Sequence, residues 1–158
     1  MPLESALFYD DAVGITGNNS KRGREKSSVV IEYDHEVYSP VDEQRGIYTG
    51  ARVHKAVELM KEIDTASPGL YQACCEGKNL PQVSIKWYEI DGTSADEVEY
   101  FETVLNNVKV VSVQQILPDT KETQNERKRH LEKVRFMYEE ITWKHLEGYE
   151  YTDSWKAV

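Results

Sequence analysis

Between residues 28 and 38 the chain alternates, with Val29, Ile31, Tyr33, His35 and Val37 on one side of an extended backbone and Val30, Glu32, Asp34, Glu36 and Tyr38 on the other. A period of two marks a strand with one face on a core. Residues 28–38 are therefore expected as one strand with an apolar face that includes His35 and an opposite face that is largely acidic. The run S-A-L-F-Y at 5–9 predicts a first strand. Residues 51–63 place Val53, Val57 and Leu59 against Arg52, His54, Glu58 and Met60, which reads as a strand with a helix as the competing assignment. Residues 80–90 put Val83, Ile85 and Trp87 on a shared face. Two further strands are expected at 98–105 and 108–117, divided at Asn106-Asn107 by a tight turn or a bulge. A long last strand is expected at 127–143, followed by a polar tail.

Only 67–77, S-P-G-L-Y-Q-A-C-C-E-G, reads cleanly as a helix. Ser67 can cap it, Pro68 suits the first turn, and Gly77 can take the left-handed conformation that ends it. Leu70, Ala73 and Cys74 then form a narrow apolar stripe, with Cys75 about 100° round the helix. Residues 10–27 read as a solvated loop carrying a basic cluster, Lys21, Arg22, Arg24 and Lys26. Residues 39–50 are longer than a hairpin connection needs and hold an exposed-looking pair, Ile47 and Tyr48, which points to a binding loop or a packing arm. Some seven strands and one helix define a mainly β protein: a small antiparallel β-barrel or sandwich with one short helix packed on its side. No linker or repeat divides residues 1–158, so one domain is expected.

Composition narrows the function. The net charge of −9 has the wrong sign for a nucleic-acid partner. No apolar run approaches the roughly 20 residues of a membrane span, and the N-terminus lacks the features of a secretory signal, so synthesis and folding in the cytoplasm are expected. Cys74 and Cys75 are adjacent and expected to be reduced. The histidines, His35, His54, His130 and His145, are scattered without metal-ligand spacing. No nucleophile motif, phosphate loop or usable acid pair is present, so neither catalysis nor a cofactor is expected.

Several stretches together resemble the haemolysin-coregulated protein (Hcp) family, tube subunits of bacterial type VI secretion systems. They are Ser39-Pro40-Val41-Asp42, Gly50-Ala51-Arg52-Val53-His54, Lys61 through Tyr71, Lys86-Trp87-Tyr88, Glu99-Tyr100-Phe101, Val108-Lys109-Val110, Tyr138 through Trp143 and Asp153-Ser154-Trp155. They cover about three quarters of the chain in order, a pattern more specific than any single motif. The chain departs from the family in having Lys55-Ala56-Val57 after His54, where proline and phenylalanine are common, and it matches loosely over residues 1–27.

The resemblance implies a small β-barrel with one helix, assembled as a homo-hexameric ring. Rings would stack into a tube that works with spike, sheath and baseplate components and carries effectors in its bore. Export through the type VI system would need no signal peptide. It also implies a loop arm at the ring interface, for which Pro40, Val41, Asp42, Ile47, Tyr48 and Arg52 are the candidates. Glu32, Asp34 and Glu36 are the candidates for the wall of the bore. A monomeric barrel binding a small ligand is the alternative.

Overall fold

The computed structural model describes residues 2–10 and 14–155. Its strands are β1 (Ser5–Tyr9), β2 (Ser28–Asp34), β3 (Val37–Tyr38), β4 (Val41–Asp42), β5 (Ile47–Tyr48), β6 (Val53–His54), β7 (Val57–Glu62), β8 (Asn79–Ile90), β9 (Glu97–Ile116), β10 (Leu131–Met137), β11 (Glu140–His145) and β12 (Tyr149–Ser154); helix α1 (Ser67–Glu76) lies between β7 and β8. The main sheet runs β10-β7-β2-β1-β8-β9-β11-β12, and β10 also pairs with β9. That extra pairing closes six strands into an antiparallel ring, from which β11 and β12 continue as an extension. The fold is thus mainly β with one helix, as the periodicities predict.

The twenty residues of β9 make closure possible. One edge pairs with β8 from Glu97 to Lys109, while the other takes β11 from Phe101 to Asn106 and β10 from Lys109 to Ile116. The two expected strands, 98–105 and 108–117, are therefore one. Asn107 has φ of 50°, a left-handed conformation that asparagine tolerates, and it bends the strand without ending the ladder. The expected strand 127–143 shows the reverse: it divides at Tyr138-Glu139 into β10 and β11, which lie in line along the same edge of β9. The expected polar tail contains β12, paired residue by residue with β11; residues 156–158 lie outside the described chain.

Strand β2 departs from its simple alternation. Val30 faces Lys61 and Glu32 faces Met60, so Ile31 is an extra residue with no partner on β7. The bulge moves the core side from one alternation to the other: Val30 is 2% exposed and Ile31 45%. Tyr33 regains the core side and packs edge-on against Trp87, with ring centroids 4.7 Å apart. The strand stops at Asp34, and His35-Glu36 links it to β3. Residues 51–63 likewise split at Lys55-Ala56 into β6 and β7, and no helix forms there.

Helix α1 sets Leu70 and Ala73 into the core, leaves Cys74 half-buried and exposes Cys75. Gly77 ends it at φ 66° and gives its N–H to the carbonyl of Ala73. The start differs from the expected cap, because Ala66 occupies the N-cap and Ser67 turns inward. The Ser67 hydroxyl donates to Glu132 Oε2 at 2.6 Å and accepts the Asp64 N–H at 3.0 Å. Lys61 Nζ lies 2.8 Å from both Glu132 Oε2 and Asp64 Oδ1. Ser28 donates to Asp64, and Tyr9 completes the chain at 2.7 Å from Ser28. Burial pushes the Tyr9 phenol up. Two carboxylates and one ammonium are thus tied together beneath the helix by hydroxyls, which is how buried charge is tolerated.

The loop 14–27 is less solvated than expected. Arg24 is buried, stacks 3.4 Å over the Tyr88 ring and donates to Glu97 at 2.7 Å, and Lys21 reaches the same carboxylate. Two of the four basic residues therefore pin the loop to the β8–β9 hairpin.

Leu70→Ala is expected to cost about 2 to 5 kcal/mol in chemical denaturation, as a large-to-small core change. Glu132→Ala is expected to cost about 3 to 5 kcal/mol, because it breaks the buried pair with Lys61 and takes the acceptor from the buried Ser67 hydroxyl. Alkylation of the native protein should modify Cys75 well before Cys74.

Candidate assembly interface

Residues 37–54 leave the barrel as a two-tiered hairpin. At its base Val37 pairs with His54 and Tyr38 with Val53; at its tip Val41 pairs with Tyr48 and Asp42 with Ile47. The tip turn is built by Asp42, whose carboxylate accepts the N–H of Gln44 at 3.0 Å and whose carbonyl accepts that of Gly46 at 2.7 Å. Gly46, at φ 67°, supplies the left-handed residue such a turn requires. Pro40 contributes its carbonyl to the Thr49 N–H. Of the binding loop or packing arm that the sequence suggests, the structure shows a paired hairpin arm. It presents its apolar residues outward: Ile47 is 52% exposed, Tyr48 78%, and Val41 is exposed beside them. A two-stranded ribbon with no second layer gains little from its own burial, so the arm must be held at its root.

The root is a polar cluster. Arg52 donates from Nε to Asp153 Oδ2 at 2.5 Å and from its NH2 nitrogen to Asp153 Oδ1 at 2.8 Å, and reaches the Ser154 carbonyl at 2.9 Å. His54, fully buried, sets Nε2 2.7 Å from Asp153 Oδ2 and Nδ1 2.5 Å from the Tyr138 hydroxyl. That hydroxyl is also 3.0 Å from His35 Nε2. Trp155 covers His54, with ring centroids 5.0 Å apart. The Arg52 guanidinium, joined by the His54 hydrogen bond, holds the Asp153 carboxyl below the usual carboxylate range. Burial pushes the Tyr138 phenol up. Of the six arm candidates, Ile47, Tyr48 and Val41 are presented outward, Pro40 and Asp42 shape the tip, and Arg52 is spent on this internal pair. His35 and His54, which the sequence shows as separate histidines, meet through Tyr138.

Two more surfaces matter. Among the described residues strand β12 has β11 as its one neighbour in the sheet, which leaves its other edge unpaired there, and Tyr149 and Tyr151 on this strand are exposed. On the outer face of β2, β7 and β10, cross-strand rows run Asp34–Glu58–Arg135 and Glu32–Met60–Lys133. Glu58 bonds Arg135 at 2.9 Å and lies 3.2 Å from Lys133, while Glu36 pairs with Lys55 at 3.0 Å. Glu32, Asp34 and Glu36 are thus exposed as expected, but they border a row of cations.

Comparison with known proteins decides the family. The sequence model described as "Type VI secretion system effector, Hcp" matches residues 8–145. The chain belongs to the Hcp family. It is 35% identical over 156 residues to the "Major exported protein" of Pseudomonas aeruginosa, covering 98% of this chain and 88% of that one. Among solved structures it is similar to the Hcp1 protein of the E. coli EAEC 042 pathovar, with TM-score 0.82, 36% identity, and coverage of 98% and 99%. A crystal structure titled "Hcp protein" has TM-score 0.85 and 28% identity, with 99% of each chain covered. The secreted protein Hcp3 of Pseudomonas aeruginosa has TM-score 0.74 and 27% identity, again with 99% of each chain covered. Membership makes this a protein of the type VI secretion system, in a family of structural, secreted proteins. Among the described residues no helix is long and apolar enough to cross a membrane, and there is no cluster of metal-ligating side chains.

Sequence reading missed Asp153 and Tyr138 as partners of the arm. The available signal was that D-S-W near the end and the tyrosine before E-E-I-T-W both fall in stretches shared with the family. With its carboxyl pKa lowered, Asp153 contributes stability that is present above pH ~3.8 and lost as pH falls through its folded value. Asp153→Asn is expected to flatten that part of the acid-denaturation profile and to raise tryptic cleavage at exposed Arg45 several-fold, as read by timed proteolysis.

Proposed function

We propose that this Hcp protein assembles into closed hexameric rings that stack into the inner tube of a type VI secretion system. The observation that carries this is the pairing of two unlike surfaces on one subunit, an apolar-tipped arm and an edge unpaired among the described residues, on a strand with exposed tyrosines. A head-to-tail ring requires two different complementary patches, since each subunit meets one neighbour with each. The tip residues Val41, Ile47 and Tyr48 supply the apolar anchor that such an interface concentrates at its centre. An open edge such as that of β12 is a ready template for another chain. The assembled tube would work with spike, sheath and baseplate components and leave the cell with the effectors it carries. No catalytic step is assigned to it.

Glu32, Asp34 and Glu36 are proposed to line the bore. Such a wall would carry an acidic strip on β2 beside a basic strip on β10. Of these three, Glu32 and Asp34 make no ion pair among the described residues, so preference for basic cargo rests on those two. The monomeric ligand-binding barrel gains no support, because the interior is filled by Leu7, Leu59, Ile85, Leu105, Phe136 and Ile141. A groove of about 520 Å³ is an open cleft on the outer wall lined by polar residues such as Gln82, Lys86 and Lys144.

Native mass spectrometry of the purified protein should give a six-fold assembly; a strict monomer at high concentration would overturn the ring. Ile47→Asp with Tyr48→Asp should weaken assembly about 30-fold or more while the monomer keeps its melting temperature, since charges would be buried between chains. An unchanged hexamer would remove the arm from the interface. Glu32→Gln with Asp34→Asn should leave assembly intact and weaken binding of a basic cargo at low salt only.

A further inference from the structure

The root of the arm contains more chemistry than a structural clasp needs. A carboxylate only accepts hydrogen bonds, so His54 Nε2, 2.7 Å from Asp153, carries a hydrogen. In neutral His54 the Nδ1 nitrogen is then bare and accepts the Tyr138 O–H. The Tyr138 oxygen in turn accepts from His35 Nε2. Three hydrogens serve three bonds, all pointing toward Asp153, whose charge Arg52 balances.

One added proton is accommodated. On His35 it goes to Nδ1, where the Lys55 carbonyl favours the protonated ring. On His54 it goes to Nδ1, the Tyr138 hydroxyl reverses toward His35 Nε2, and the hydrogen of His35 moves to Nδ1. In both cases each bond of the chain survives. A second proton cannot be placed this way: both imidazolium rings would direct N–H groups at the Tyr138 oxygen, leaving its own hydrogen no acceptor in the chain. Two cations would then stand on either side of a single buried hydroxyl.

We infer that His35, Tyr138, His54 and Asp153 form a proton-operated latch, which holds the arm while it carries zero or one added proton and releases it when the second enters. The surrounding charges agree with a threshold on the acid side. His35 is faced by Asp34 and Glu36 on its own segment, by Lys55 from the strand opposite, and by Glu58 of β7 and Arg135 of β10 across the shared cleft. Lys55 is paired with Glu36, and Arg135 with Glu58, so neither pair sets a strong field. His54 is faced by Asp153 and Arg52, by His35 through Tyr138, and by the uncharged ring of Trp155. Burial, then the charge of His54, holds the His35 imidazole below its ordinary value of 6.5.

The sign follows. A base whose folded pKa is depressed binds fewer protons in the folded state than in the unfolded one, so its contribution to stability falls as pH drops from about 6.5 through the folded value. The latch is therefore closed at neutral pH and opens in acid. Its effect on tube assembly depends on the arm being the subunit contact proposed above, whereas the latch itself does not.

The test follows the histidine ring protons of the protein by NMR from pH 8 to pH 4.5, together with amide exchange over residues 37–54. The latch predicts that the connected cluster takes up its two protons in separate steps, about one pH unit or more apart, with arm exchange rising at least tenfold across the lower step and unchanged across the upper. Tyr138→Phe keeps the ring and removes the bridge, and should narrow the separation while freeing the arm already at neutral pH. His130→Gln, at an exposed site, should change neither. Independent titration of both histidines near their ordinary value would overturn the latch, as would arm exchange that ignores the lower step. Assembly mass measured over the same pH range separates the two claims: acid opening of the arm with hexamers intact would keep the latch and remove the arm from the interface.

Discussion

The structure depends on closure of the sheet along β9. An open antiparallel sheet of this size would leave two edges and two faces to protect, whereas pairing β9 with β8 on one side and β10 on the other leaves the six-stranded ring without an edge. A strand that must serve three neighbours has to be long and has to bend. Asn107 allows both, because a left-handed residue turns the strand while its neighbours stay in register. The edge that closure removes from the ring reappears on β12, beyond it.

Closure also explains where polar groups are allowed inside. The interior is small and filled mainly by aliphatic side chains, yet Lys61 and Glu132 sit opposite one another across β7 and β10 with no exposure. They are tolerated because the turn into helix α1 brings Asp64, and its first residue Ser67, onto them, so the start of the helix is specified by the charges it covers rather than by its own cap.

The arm follows the opposite rule. With no second layer beneath it, it depends on a few directional bonds at its root, contributed by residues more than eighty positions away in the chain. Such a device is stiff while its hydrogen bonds are complete and loose once one fails. A segment that meets another subunit gains from being ordered before contact, since the ordering cost is then not charged to assembly.

How much could be read in the chain follows from the range of the forces involved. The strands at 5–9 and 80–90, the helix with Pro68 at its start and Gly77 at its end, and the orientation of Cys74 and Cys75 all rest on local periodicity and backbone preference, and they were legible. So were the family, through its distributed motifs, and the exposed pair Ile47 and Tyr48. The bulge at Ile31, the fusion of two expected strands at Asn107, the strand within the polar tail and the inward turn of Ser67 were not, because each is decided by what lies opposite in the sheet. The same holds for the cluster at the root of the arm. His35, His54, Tyr138 and Asp153 carry no shared spacing, and an isolated histidine in a strand looks the same whether its partner is solvent or a carboxylate a hundred residues on. Local pattern determined the elements; long-range pairing, which no window of sequence contains, decided register, closure and the chemistry at the arm.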